Sequence, residues 1–419
     1  MSAPANLDFE LAPAPSVVFG CLLPAPWVGI AAGLLLAFGP VEGLPHRFAP
    51  LSLALVHVVA VGMLLPVMLG ALFQLLPVLA GVPVPAARHV SPLVAPCCIA
   101  TAAGLAWGFI GGDPRGFSLA GGVALAGLGT VALLLAIAGR RVAVVNPSTR
   151  VLRRVGWALA ATLALGAALA GVFGYGWALP LATLLDLHLA WGLGGWLAVL
   201  LAGVAATVLP MFWQAPRPSA VFERLLPWAV WLPLLAGFAE LAGQLLPWRP
   251  LALLALAALA AIGCYAVLAA RRRHDPAWPL WLAAAFSWLA AALLGLAAPW
   301  LPAAWPLPWW IGVLALVGGG VLPVNAMLGK IIPFLAWLHL RKRLPARVRV
   351  PPMQALLPPA VQRVQVGLVL LAWAGLLALP LAPDRLAGPA GIAFAVSQGL
   401  LGGMLLHVLG QFVRLRPRG

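Results

Sequence analysis

The sequence predicts an all-α, polytopic membrane protein. About twelve transmembrane helices are expected, as three four-helix units in a pseudo-threefold arrangement, with both termini cytoplasmic. Three observations carry this expectation. First, 63% of the 419 residues are hydrophobic and only 8% are charged, against about a quarter charged in a soluble chain. Second, charge-free windows recur along the whole chain, each long enough to cross a hydrocarbon core of about 30 Å. Third, the basic residues fall almost entirely in alternate loops. The chain therefore reads as one integral membrane domain, 1–419, with no room for a large soluble domain.

The elements follow in order. The first helix, about 16–39, is preceded by Asp8 and Glu10 rather than a basic region. No clear cleavage site follows it, so a cleaved signal peptide is not expected. The second, about 50–80, contains the apolar run LVHVVAVGMLLPVMLGALFQLLPVLAG. Helices at about 92–111 and 116–138 lead to Arg140, Arg141, Arg150, Arg153 and Arg154. Helices at about 155–175 and 179–211 lead to Arg217 and Arg224. Those at about 225–247 and 250–270 lead to Arg271, Arg272 and Arg273. Helices at about 279–300 and 309–340 lead to Arg341, Lys342, Arg343, Arg347, Arg349 and Arg363. The last two, about 361–382 and 388–412, lead to Arg414, Arg416 and Arg418. Gly and Pro are frequent inside these segments, as membrane helices tolerate. Many of the 19 tryptophans sit at helix ends, among them Trp27, Trp228, Trp248, Trp300, Trp305, Trp309 and Trp310, where they read as interfacial anchors.

With twelve crossings, 20 basic residues share one side, Arg88 included. Four face the other: Arg47, Arg115, Arg249 and Arg385. The positive-inside rule assigns the basic side to the cytoplasm of a bacterial inner membrane. The net charge of +16 is thus read as orienting the chain and touching anionic lipid, not as a nucleic-acid surface. Cys21, Cys97, Cys98 and Cys264 form no CxxC or metal-type spacing and read as small core residues.

A repeat underlies the helix count. Three segments align: GMLLPVMLGALFQLLP from Gly62, GWLAVLLAGVAATVLP from Gly195, and GGGVLPVNAMLGKIIP from Gly318. In each, Gly and Pro stand 15 residues apart. A small residue (Gly70, Gly203, Ala326) and then a polar one (Gln74, Thr207, Lys330) fall at matching places. The offsets of 133 and 123 residues define units at approximately 16–150, 151–275 and 276–419, with the second helix of each special. Small residues there let backbones, or a flat ligand, approach closely. The late Pro is expected to bend each helix.

Ionisable groups within the bilayer are functional candidates. His57, Asp186, His188 and Glu240 all fall in the periplasmic half of their helices. A neutral imidazole can ligate a metal through one nitrogen while the other donates a hydrogen bond. His57 and His188 are therefore candidate cofactor ligands, set against the plainer reading of a histidine bonded to a backbone carbonyl. Glu240 could add an oxygen ligand beside His188, or a hydrogen-bond partner to it. Lys330 reads as a cation snorkelling to the cytoplasmic surface, or as part of a polar layer or proton path with Gln74 and Thr207. His407 reads as a packed polar residue. His46, His89 and His274 read as solvated.

The helix count, the inward termini, the four-helix units and the histidines on helices 2 and 6 together resemble the catalytic subunit of the haem–copper oxidase superfamily, which includes nitric oxide reductases. The runs LVHVVAVGMLLPVMLGALFQLLPVLAG, HLAWGLGGWLAVLLAGVAATVLPMF and GKIIPFLAWLHL also resemble the NnrS-like haem and copper membrane proteins. The resemblance implies that His57 is a haem ligand and His188 a copper ligand, on different cofactors. The pattern departs elsewhere. A histidine pair of that superfamily is replaced by Glu240 on helix 7. Its helix 10 pair is missing, with Val313 at the repeat position of His57 and His339 beyond Pro333. A complete reaction centre is thus not implied, and an oxidoreductase activity is left open. What is implied is one haem b or one copper ion, serving electron transfer, gas sensing or nitric oxide handling. Lipid, an electron donor and other respiratory subunits are the partners implied, and no nucleic acid. A transporter or channel without cofactor, and an assembly or accessory protein of a respiratory complex, fit the same architecture.

Overall fold

A computed structural model describes residues 8–144, 146–217, 219–344 and 351–415. Arg347, Arg349, Arg416 and Arg418 lie outside the described residues. The protein is an all-α, multi-pass membrane protein, with no strand among the described residues. Among the described residues, twelve apolar helices follow one another: α1 Pro15–Phe38, α2 Pro50–Ala80, α3 Ala87–Gly111, α4 Pro114–Arg140, α5 Val155–Tyr175, α6 Leu181–Trp213, α7 Pro227–Ala242, α8 Trp248–Leu268, α9 Trp278–Trp300, α10 Leu307–Lys342, α11 Pro359–Leu381 and α12 Pro383–Leu415. Eleven are long and apolar enough to cross a bilayer, and α7 is the shorter one.

Local chemistry sets the ends. Proline at the first turn opens α2, α4 and α11, where the missing N–H has no helical partner to lose. Asp113 caps α4 by accepting from the Arg115 N–H at 2.9 Å. Glycines in the left-handed region close α2 (Gly81, φ 66°) and α5 (Gly176, φ 69°). α3 begins at Ala87, five residues ahead of its expected start, because Pro92 lies within its first turns instead of ending it. The segment expected as a helix over 225–247 tightens to a 3₁₀ turn at Phe238–Ala242 and stops at Gly243 (φ 76°). A short helix, Pro147–Leu152, was not anticipated. Asn146 and Thr149 form a reciprocal capping box at its start.

The three repeat helices share a backbone feature. Each contains a π-helical stretch: Val58–Leu64 in α2, Ala190–Ala198 in α6 and Val313–Val321 in α10. Such wide turns are uncommon and concentrate at functional sites. Among the described residues one other helix has one, Ala124–Leu128 in α4. The three π stretches converge. A Cβ on Gly320 would lie 2.9 Å from Leu64 Cδ1 and 3.3 Å from Leu197 Cδ2. Each of these residues stands two after the first glycine of its repeat segment. Equivalent positions thus meet at one central line. α10 runs closest to it: 89% of its apolar window is buried, against 28–56% for the other spans.

The remaining helices form a surrounding layer. α4 packs on α5, α8 on α9 and α12 on α1, so each unit's last helix meets the first helix of the next. Small residues make these seams tight. A Cβ on Gly33 of α1 would come within 2.5 Å of the Gly391 carbonyl oxygen on α12, and one on Gly391 equally close to the Gly33 oxygen. A Cβ on Gly156 of α5 would meet the Ala136 nitrogen of α4 at 2.5 Å. Backbone in contact with backbone is what membrane interfaces gain from glycine. At the basic end, Lys342 of α10 donates to the Phe9 carbonyl at 2.8 Å and to Glu10 at 3.2 Å, which fixes the N-terminal segment there.

The seams give a clear expectation. Gly33→Ala or Gly391→Ala should cost about 1–3 kcal/mol, since backbone must move to admit the methyl group. Gly122→Ala and Gly403→Ala, where a Cβ meets nothing within 4 Å, should stay within about 0.5 kcal/mol of wild type. Thermal unfolding of the four variants in one detergent, followed by loss of monodisperse protein, checks this.

Candidate functional site

His57 stands on α2 immediately before its π stretch, and His188 stands on α6 two residues before its own. The fold brings the two rings together. Their centroids are 6.4 Å apart and their planes within 15° of parallel. Each ring is held by a backbone oxygen: His57 Nδ1 lies 2.7 Å from the Leu53 carbonyl one turn earlier, and His188 Nδ1 lies 3.2 Å from the Thr162 carbonyl of α5. A carbonyl only accepts, so each Nδ1 carries the proton. Each neutral imidazole then keeps its Nε2 lone pair. The expected plain reading, a histidine bonded to a backbone carbonyl, and the ligand reading are thus compatible in one ring.

The walls are apolar. His57 stacks on Phe109 of α3 at 5.4 Å. Phe109 meets Phe117 of α4 edge-on at 4.9 Å, and Phe117 packs against Phe173 of α5 at 5.2 Å. Gly166 of α5 makes room on the other side, where a Cβ would sit 3.0 Å from His188 Cε1. Five helices, α2 to α6, therefore contribute to one site. The resemblance implies different cofactors for His57 and His188; the structure joins them in one place.

Glu240 does not join them. Its two carboxylate oxygens accept from Arg249 of α8 at 2.7 and 2.8 Å. The same guanidinium reaches Asp186 of α6 at 3.0 Å. One cation thus bridges two carboxylates at the start of α6 and the end of α7. Glu240 was expected as an oxygen ligand or hydrogen-bond partner beside His188; in the structure each of its oxygens accepts from Arg249. Sequence reading placed Arg249 in a loop as an orienting charge and missed this partnership.

The polar layer expected from the repeat is likewise not one bonded row. Thr207 shares a 2.7 Å hydrogen bond with Ser148 of the short helix, whose hydroxyl also reaches the Gly203 carbonyl. Lys330 pairs with Asp275, in the loop before α9, at 2.5 Å. Gln74 is buried and its Oε1 has no hydrogen-bond partner. The three matching positions serve three local purposes. Further buried amides, which the repeat pattern did not single out, surround α10: Gln365 donates to Asn325 at 3.1 Å and Gln362 to the Gly329 carbonyl at 3.0 Å. His407 lies beside Gln411 at 2.6 Å.

Among the described residues, no group of three or more His, Cys, Asp or Glu side chains could hold a metal ion. The donor set of the pair is two imidazoles. No family model matches the chain, and no curated protein matches it.

The ion-pair assignment has its own test. Arg249→Gln strands the Glu240 carboxylate, whose side chain is 8% exposed, while the guanidinium itself is 45% exposed and screened. The loss should be about 1 kcal/mol. Adding Glu240→Gln should recover part of it, and a double-mutant cycle on thermal unfolding measures the coupling.

Proposed function

We propose that this chain is a haem-binding electron-transfer protein of the bacterial inner membrane, in which His57 and His188 would together hold one haem b. The spacing of the rings carries this reading. If the two Nε2 atoms face one another, a metal would lie about 2 Å from each and about 1 Å more from each ring centre, which would put the centres roughly 6 Å apart. The rings are 6.4 Å apart.

The donor chemistry supports the same choice. A zinc ion in a protein-only site takes about four ligands, and two imidazoles supply half. A haem iron would need only two nitrogens from the chain, the number that His57 and His188 could supply. The group, when bound, supplies one-electron redox chemistry. With both imidazoles holding it, the chain would leave no place there for a gas to bind. Of the roles implied by the resemblance, electron transfer therefore fits better than nitric oxide binding.

The chain's own residues do the rest. The Leu53 and Thr162 carbonyls set the tautomer and hold the rings, and a hydrogen bond at Nδ1 raises the basicity of Nε2. Phe109, Phe117 and Phe173 keep water from one flank. A neighbouring respiratory subunit or a separate donor would supply the electron.

A copper ion on the same two nitrogens is the second outcome a metal assay would reveal. The full-length protein, purified in detergent from haem-replete cells, should show a low-spin reduced-minus-oxidised spectrum with one iron per chain. His57→Ala and His188→Ala should each abolish that signature. In a variant that retains haem, the vacated position should now take up carbon monoxide, which wild type should not. A colourless, metal-free preparation would overturn the reading and leave transport or scaffolding.

A further inference from the structure

A second feature lies far from the histidines. A half-enclosed cavity of about 140 Å³ sits among α6, α7, α8, α9 and the short helix Pro147–Leu152. Its wall is almost wholly apolar, with Val199, Leu209, Leu256, Ala260, Gly263 and Trp288 among its residues. It occupies the half of the span toward the ends of α6 and α8 and the start of α9. That is the half next to the arginine-rich loops.

Three arginines stand next to its lining residues, although none lines it directly. Pro147 and Val151 line the cavity, and Arg150 belongs to the same short helix. Pro227 lines it too, and Arg154 lies over the neighbouring Trp228 ring at 4.5 Å. Pro216 is a third lining residue, followed in sequence by the exposed Arg217. Arg249, Lys330 and Lys342 each have a carboxylate partner. Among the described residues, Arg150, Arg154 and Arg217 have none. Partial burial, and then the like charges of Arg153 and Arg150, push the Arg154 guanidinium below its ordinary pKa. Among the described residues, no carboxylate pairs with this cluster.

An apolar recess beside arginines that have no carboxylate partner among the described residues matches one kind of molecule a bilayer holds in quantity. We infer that this cavity is a binding site for an anionic phospholipid, with an acyl chain in the recess and the phosphate at Arg150, Arg154 and Arg217. Basic pockets between helices at the cytoplasmic surface recognise lipid headgroups by this combination. The guanidinium forks suit phosphate oxygens, and the half-open wall accepts a chain without unfolding anything. The site is independent of the histidine pair.

Native mass spectrometry on the full-length purified protein tests this by titration with phosphatidylglycerol and phosphatidylcholine. Wild type should retain phosphatidylglycerol in preference. Arg150→Gln and Arg154→Gln should each weaken that retention about fivefold. Gly263→Leu keeps every charge but fills the recess, since a Cβ there has only Ala285 at 3.7 Å. It should lower retention of phosphatidylglycerol as well. If the arginine variants fail to fold, the lipid ratio of wild type and the Gly263→Leu result still decide the matter. Equal retention of both lipids, unchanged retention in Gly263→Leu, or complete displacement by inorganic phosphate would each overturn the assignment. The last would indicate a site for a soluble anion.

Discussion

Three helices can share one axis inside a membrane only if their side chains do not all compete for it. Here Leu64, Leu197 and Gly320 take equivalent places in the repeat, and the glycine is what lets the two leucines close over α10. There is no aqueous phase at that depth to drive association, so close packing and satisfied backbone groups must hold the bundle. The π stretches fit this constraint. Each inserts an extra residue into a helical turn, which shifts the register of everything before it relative to everything after. Residues at the centre and residues at the mouth of the same helix can then both face inward. His57 and His188 lie at those mouths.

The same constraint explains the polar groups. Charge inside a bilayer persists only when paired or carried to the surface. Lys330 pairs with Asp275, Arg249 joins Asp186 to Glu240, and both histidines bond to carbonyls. Once these partnerships are taken out, what remains uncommitted is informative. Among the described residues, what remains includes two imidazole nitrogens at one end, an arginine cluster at the other, and buried polar atoms such as Gln74 Oε1. The first two are places where the chain leaves chemistry unfinished, which is why each directs attention to a molecule outside the chain.

Helix existence and helix bounds were largely legible in the sequence, because apolar windows of span length are a strong signal and proline and glycine punctuate them. Where bounds moved, the cause was local: Pro92 is accommodated within α3, and Gly243 ends α7 early. The candidate site was legible only as a list. His57 and His188 belong to different repeat units, and no spacing rule relates them. Their meeting depends on how α2 and α6 pack, with α5 supplying the Thr162 carbonyl and the gap at Gly166. The ion pair of Glu240 was hidden for the same reason: its partner Arg249 sits past a helix break, where sequence reading saw only a loop charge. The short helix Pro147–Leu152 was hidden among arginines, although Asn-Pro-Ser-Thr is a capping signature.

The repeat also bears on why one site forms rather than three. Transferred by the repeat offsets, the place of His57 falls on Ala190 and Val313, and the place of His188 on Leu55 and Ile311. None of these can coordinate a metal. The seam between α2 and α6 is therefore the one of the three that carries two imidazoles at these positions. The scaffold repeats, while the chemistry is confined to a single seam by side-chain choice. A fold of this kind can keep its central packing while the side chains at such positions change. That is also why resemblance of architecture alone says little about activity, and why the spacing of one pair of rings weighs more than the pattern of twelve helices.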